Sequence, residues 1–193
     1  MQQPLTSVVA IVGALLLAGL GWLMSLSPAQ DASHQVVQLR EASFALSGGA
    51  APPPTGWARQ TLPDSWRESR PGVHGHGWYR MAVSLPQPPQ DLHALYLPLV
   101  NSAFQLWVNG VLVADSGGTD GPNVGRSAGF PQWATVPPQA LRQGANDVLL
   151  RLRVAPNLRG GLAAPYFGPQ QMVRELFDAD HLLVAWNLRY FEL

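Results

Sequence analysis

Trp78 and Arg80 stand two residues apart in the stretch Gly77-Trp78-Tyr79-Arg80. In an extended chain both side chains leave the same face. An indole offers a flat apolar surface to a sugar ring, and a guanidinium forks onto a carboxylate. The pair therefore reads as a platform for a sugar or an acid. The competing reading is packing, with Trp78 under a loop and Arg80 paired to a carboxylate such as Asp64. Trp57, Trp66, Trp107 and Trp133 add further indoles to a chain that has 7 Trp. Arg126 and Trp133 flank a long Gly-rich stretch that starts at Asp115, and binding groups concentrate on loops held by a rigid scaffold. The ligand-binding candidates are thus Trp66, Trp78, Arg80, Arg126 and Trp133, and the expected ligand is a carbohydrate or another small molecule.

Other reactive patterns are weaker. Asp115 and Asp120, among glycines, offer oxygen ligands to Ca²⁺ but lack EF-hand spacing. His74-Gly75-His76 has two imidazoles and no placed carboxylate, and reads as a solvent loop. Asp64 and Glu68 form a carboxylate pair of the kind glycosidases use, yet such pairs arise by chance on many surfaces. Gly117-Gly118-Thr119-Asp120-Gly121 lacks the Lys and the strand–helix setting of a phosphate-binding loop. The sequence contains no G-x-S-x-G elbow and no H-E-x-x-H pair. No catalytic residue, metal site or cofactor is assigned, and the chain by itself is not expected to be an enzyme.

The chain has 193 residues, enough for one domain with additions. With 12 basic and 12 acidic residues the formal net charge is zero, and every basic residue is Arg. That balance argues against nucleic acid as a partner, since such binding needs a basic patch. Cys is absent, which removes disulfides, thiolate metal sites and Cys nucleophiles. Gly 19 and Pro 18 favour turns and strands over long helices.

The first thirty residues carry no charged side chain. From Leu5 to Leu26 the run is almost wholly apolar and long enough to cross a ~30 Å hydrocarbon core as a helix. It reads as a signal anchor or a secretory signal peptide. Its length favours the anchor, because a signal h-region runs ~7–15 residues. Either way, residues 31–193 are exported.

Those residues read as mostly β. Val36 to Leu46 is a first strand, and Ser47 to Gly56 is a Gly/Pro loop. Trp78–Leu85 alternates, with Tyr79, Met81, Val83 and Leu85 on one face. His93–Val100 and Ala103–Val108 are strands, and Trp107 opposes Phe104 and Leu106. Asn109-Gly110 between two apolar runs predicts a tight hairpin, since a type I′ turn needs positive φ twice. Gly144-Ala145-Asn146 is a turn into Val148–Val154, where Val148, Leu150, Leu152 and Val154 face inward and Arg151 and Arg153 outward. Short strands at this spacing predict an antiparallel β-sandwich. Residues 170–193 lack Gly and Pro and read as a helix with Met172, Val173, Leu176 and Phe177 on one stripe. Its abrupt end suggests a fragment of a longer protein.

Several motifs in order carry a resemblance: Leu62-Pro63-Asp64-Ser65-Trp66, Gly77-Trp78-Tyr79-Arg80, Leu106-Trp107-Val108-Asn109-Gly110-Val111, Gly144-Ala145-Asn146 and Leu149 to Val154. The set resembles the galactose-binding-like jelly roll that forms the sugar-binding domain of family-2 glycoside hydrolases such as β-galactosidase. With the apolar leader and the trailing Gly168-Pro169, it resembles more closely the extracytoplasmic sensor domain of bacterial membrane signalling proteins. This likeness covers roughly residues 36–170 and implies a mainly β jelly-roll sandwich with an N-terminal transmembrane or signal helix and a C-terminal helix. It implies three parts: residues 1–30 as anchor or signal peptide, 31–169 as the sensor sandwich, and 170–193 as a linker helix leading to membrane helices. It further implies an inner-membrane protein with its globular part in the periplasm, working as a homodimer, whose output is a histidine kinase or diguanylate cyclase. The alternative is a stand-alone carbohydrate-binding module or the sugar-binding domain of a glycoside hydrolase.

Overall fold

A computed structural model describes residues 36–100, 102–120, 131–156 and 160–178. The apolar run 5–26 and Arg126 lie outside the described residues. No described helix is long and apolar enough to cross a membrane.

Among the described residues twelve strands form antiparallel sheets. In chain order they are β1 Val37–Gln38, β2 Glu41–Leu46, β3 Ala58–Thr61, β4 Asp64–Ser65, β5 Gly75–Leu85, β6 His93–Leu97, β7 Ala103–Val108, β8 Val111–Asp115, β9 Gln132–Val136, β10 Gly144–Val154, β11 Gly161–Leu162 and β12 Tyr166–Pro169. Six of them make one sheet in the order β3-β2-β5-β10-β7-β8. Four make a second sheet, β1-β12-β6-β9, and β11 pairs with β4 in a small third one. The structure is mainly β, as the alternation of the sequence implies.

Period-2 patterning builds the core. Tyr79, Met81, Val83 and Leu85 of β5 share a buried cluster with Phe104, Leu106 and Val108 of β7 and with Val148, Leu150, Leu152 and Val154 of β10. Leu95, Leu97, Ala134, Val136 and Phe167 of the four-stranded sheet belong to the same cluster, so the two sheets enclose one core. Each large aliphatic or aromatic side chain buried there contributes roughly 1.5–3 kcal/mol relative to exposure. β6 is buried along all 5 residues, because it is covered on both faces. Its outer face carries Ala94 and Tyr96, which pack with Val173, Trp133, Tyr166 and Phe177. Val173 and Phe177 come from the helix that begins at residue 170 and is described to residue 178. That helix does not bury the whole predicted stripe. Met172 and Leu176 stay 40% and 38% exposed, because only Val173 and Phe177 face the sheet.

Several sequence-derived boundaries shift. Val36 to Leu46 is two strands rather than one. β1 pairs with β12 in the four-stranded sheet and β2 with β5 in the six-stranded sheet, so the chain changes sheets at Leu39–Arg40. His93–Val100 ends as a strand at Leu97, and Val100 makes only an isolated bridge to Leu162. The short strands β3, β4, β11 and β12 leave too few residues for alternation to show.

The two turn motifs meet in space. Asn109 and Gly110 both have positive φ, 49° and 85°, as a tight hairpin requires. The Asn109 amide also donates to the Ala140 carbonyl at 2.9 Å and to Asn146 Oδ1 at 2.8 Å, while its Oδ1 accepts from the Asp147 N–H. Asn146 is 1% exposed and its Oδ1 also accepts from the Arg142 N–H. This knot ties the β7–β8 hairpin to the start of β10 and satisfies backbone groups that no ladder reaches.

Candidate functional site

The predicted site residues separate into three places. Trp66 opens the one-turn helix Trp66–Ser69 and is 2% exposed. Its indole N–H donates to the Tyr79 hydroxyl at 2.8 Å, and its ring meets Phe44 edge-on. Its ring is packed in the core, so little of Trp66 is presented to a ligand. The Tyr79 hydroxyl in turn donates to Asp64, which also accepts from Ser69 Oγ at 2.7 Å and from Arg70 at 2.6 Å. Burial, then the bond to Asp64 and its charge, pushes the Tyr79 hydroxyl well above its ordinary value. Asp64 is therefore engaged with Arg70, not Arg80, and does not form a free carboxylate pair with exposed Glu68.

Trp133 lies on β9, on the outer face of the other sheet. Its ring meets Phe177 edge-on at 5.8 Å, and Arg174 sits over it at 5.3 Å. There it serves as a seat for the helix from residue 170. Arg126, its expected partner, lies outside the described residues.

The third place is the outer face of the six-stranded sheet, where the chemistry gathers. Trp78 and Arg80 do share this face, and the register brings more side chains to it. Trp78 stands opposite Arg151 and Arg151 opposite Gln105; one row on, Arg80, Leu149 and Trp107 align. Trp78 is 1% exposed and stacks on half-buried Trp107 at 5.3 Å with 25° between planes. Trp78 is thus the backing layer, and Trp107 is the less buried indole of the stack. Arg80 forks onto Asp147 through two bonds of 2.9 and 3.0 Å and lies 5.5 Å from the Trp57 ring centroid. The bonds to Asp147, then its charge, raise the Arg80 guanidinium above its ordinary value.

Arg151 departs from expectation. It points outward, as the parity of β10 requires, yet is only 2% exposed. It pairs with Asp120 at 2.9 Å and bonds Gln105 at 3.2 Å. Next to it Arg153 donates to the Gly118 carbonyl at 3.1 Å, and the His76 ring bonds the Thr119 carbonyl at 2.8 Å. The segment 116–120 therefore folds back over the sheet and is held by three side chains of its outer face. His76 belongs to β5 and is not on a free solvent loop as its flanking glycines suggest. Among the described residues no cluster of three or more His, Asp and Glu could hold a metal ion.

Sequence reasoning missed Gln105, Asp147 and Arg151 as site residues and read Asp120 only as a weak Ca²⁺ ligand. Parity alone places Gln105 with Trp107 and Arg151 with Arg153 on the outer face. It says nothing of register, and register makes these pairs neighbours.

No protein-family model and no curated protein sequence matches the chain. Solved structures do resemble it. A β-glucuronidase from Faecalibacterium prausnitzii is 19% identical, with a TM-score of 0.52 over 75% of this chain and 33% of that one. The β-glucuronidase of Ruminococcus gnavus is 13% identical, with a TM-score of 0.53 over 74% and 30% of the two chains. A protein from Bacteroides fragilis named as a β-galactosidase is 16% identical, with a TM-score of 0.53 over 69% and 23%. The likeness is one of fold, and this chain spans a third or less of each of those proteins.

Proposed function

We propose that the chain is a non-catalytic, carbohydrate-binding β-sandwich of the galactose-binding-like jelly-roll kind, and that the sugar lies on the outer face of the six-stranded sheet. The observation that carries this reading is the Trp78–Trp107 stack. A buried indole fixes the plane of a half-exposed one, so little side-chain entropy is lost when a ring settles on Trp107. Two arginine–carboxylate pairs flank it and offer both donors and acceptors to hydroxyl groups. The fold likeness to portions of glycosidases supports a sugar ligand, and the short match to each of them supports an accessory rather than a catalytic part.

The test is isothermal calorimetry and a glycan array with the full chain in mild detergent. Millimolar-to-micromolar binding is expected, with Kd rising at least ten-fold for Trp107→Ala, which corresponds to about 1.4 kcal/mol. Trp133→Ala should leave Kd unchanged, since Trp133 seats a helix on the opposite sheet. No binding to any glycan, or an unchanged Kd for Trp107→Ala with intact circular dichroism, would sink the reading.

A second reading places the same module in a membrane signalling protein, exported and tethered to the inner membrane by the apolar run 5–26, as a homodimer. The observation in its favour is that β12 runs directly into the helix from residue 170, whose Val173 and Phe177 pack on Tyr96, Trp133 and Tyr166. A shift in the four-stranded sheet would be felt by that helix. A ligand acts as a signal only where its affinity differs between two such arrangements. Sequencing the reading frame past Leu193 tests this: membrane helices followed by a kinase or cyclase support it, and a (β/α)₈ barrel replaces it with a glycoside hydrolase.

A further inference from the structure

The outer face of the six-stranded sheet holds two hydrogen-bond donors that are buried and unanswered. They are the indole N–H of Trp78 and the Nε–H of Arg151. Their residues are 1% and 2% exposed and stand directly opposite one another on β5 and β10. The Arg151 guanidinium lies 5.8 Å from the Trp78 ring centroid. A buried donor without an acceptor is costly, and two such donors on residues facing each other across one sheet face call for an explanation.

The partner Arg151 does have fits it incompletely. Asp120 reaches the two terminal nitrogens, with Oδ1 2.9 Å from one and Oδ2 3.3 Å from the other, and leaves Nε–H unused. Gln105 takes a further bond from a terminal nitrogen at 3.2 Å. The Asp120 side chain is 63% exposed while that of Arg151 is 2% exposed. Water competes for the acid and not for the arginine, which makes Asp120 a weakly held partner. A carboxylate that approached the edge formed by Nε and one terminal nitrogen would satisfy both in the side-on fork that arginine favours. Trp107, stacked on Trp78, then supplies a flat surface for the body that carries the carboxylate.

We propose that this face selects an acidic sugar, whose carboxylate displaces Asp120 from Arg151 while its ring stacks on Trp107. Asp120 is the built-in stand-in: it keeps the buried charge compensated when no ligand is bound, since an unpaired buried guanidinium would be strongly destabilising. The inference rests on the reading of this face as a sugar platform and adds the chemical class of the sugar.

The test compares D-galacturonate with D-galactose, which differ at C6 as carboxylate against hydroxymethyl, by calorimetry on the full chain in mild detergent. Galacturonate should bind at least ten-fold tighter. Asp120→Asn removes the competing charge while its amide oxygen can still accept from Arg151; with folding checked by circular dichroism, it should tighten galacturonate several-fold and leave galactose unchanged. Arg151→Lys, which keeps a charge but loses the fork, should abolish the preference. Equal affinity for the two sugars overturns the acidic-sugar inference and leaves the platform standing. Asp120→Asn with unchanged or weaker galacturonate binding overturns the stand-in role. No binding of either sugar, together with an empty glycan array, overturns the platform and the inference with it.

Discussion

Removing one oxygen atom from the core should reveal how much the buried polar knot around Asp64 stabilises the fold. In Tyr79→Phe the ring and its packing on Phe44 remain, at a centroid distance of 4.9 Å. Two hydrogen bonds disappear. The hydroxyl no longer donates to Asp64, a bond to a charged group worth ~1.5–3 kcal/mol. The Trp66 N–H, which donated to that hydroxyl, is left buried without an acceptor, a further ~1–3 kcal/mol. Asp64 keeps Ser69 and Arg70, so its charge stays compensated and the loss does not grow. The expected destabilisation is about 3–5 kcal/mol, a large part of a typical ~5–15 kcal/mol. Urea unfolding followed by Trp fluorescence measures it. Trp66→Phe in the same background separates the terms, because the two substitutions share one hydrogen bond and should be less than additive. The pH dependence has a definite sign. Tyr79 has its folded value raised above the unfolded 10.0, so its contribution is fully present below about pH 10. Above that the unfolded chain loses the proton first, and stability falls by ~1.4 kcal/mol per pH unit from this group. The wild type should lose stability relative to Tyr79→Phe as pH rises from 10 to 11. A destabilisation below ~1 kcal/mol, strict additivity with Trp66→Phe, or parallel alkaline limbs would show that the Tyr79 hydroxyl does not hold the knot together.

Other outcomes follow from the same geometry. A Cβ at Gly77 would stand 2.6 Å from the Trp66 ring and 2.7 Å from the Phe44 ring, so Gly77→Ala should cost ~1–3 kcal/mol by overpacking, read as a fall in the urea midpoint. Asn109→Gly keeps the positive φ and loses the side-chain bonds to Ala140, Asn146 and Asp147; a loss of ~1–3 kcal/mol is expected, and a neutral result would reduce Asn109 to a turn former. Phe177→Ala removes the edge contacts with Tyr96 and Trp133, and hydrogen exchange in residues 170–178 should accelerate while that of β5 and β10 does not. Unchanged exchange in that helix would show that Phe177 does not hold it.

The faces of β5, β7 and β10 were readable from the sequence, because strand parity is a local property. Each Cβ leaves opposite to the one before, and an apolar series at every second position declares the buried side. The hairpin at Asn109-Gly110 was equally readable, since few residues adopt positive φ twice in succession. The fate of the individual tryptophans was not. Trp66 is core, Trp78 is a backing layer, Trp107 is half open and Trp133 seats a helix, and nothing in their local sequence separates these roles. Pairing was equally hidden. Arg80 meets Asp147 across 67 positions, and Arg151 is enclosed although the parity of β10 turns it outward. The reason is physical. Parity fixes which side of a strand a residue occupies, but burial depends on what is laid over that side. Here the cover comes from the segment 116–120 on one sheet and from the helix at residue 170 on the other, and only the folded chain brings them there.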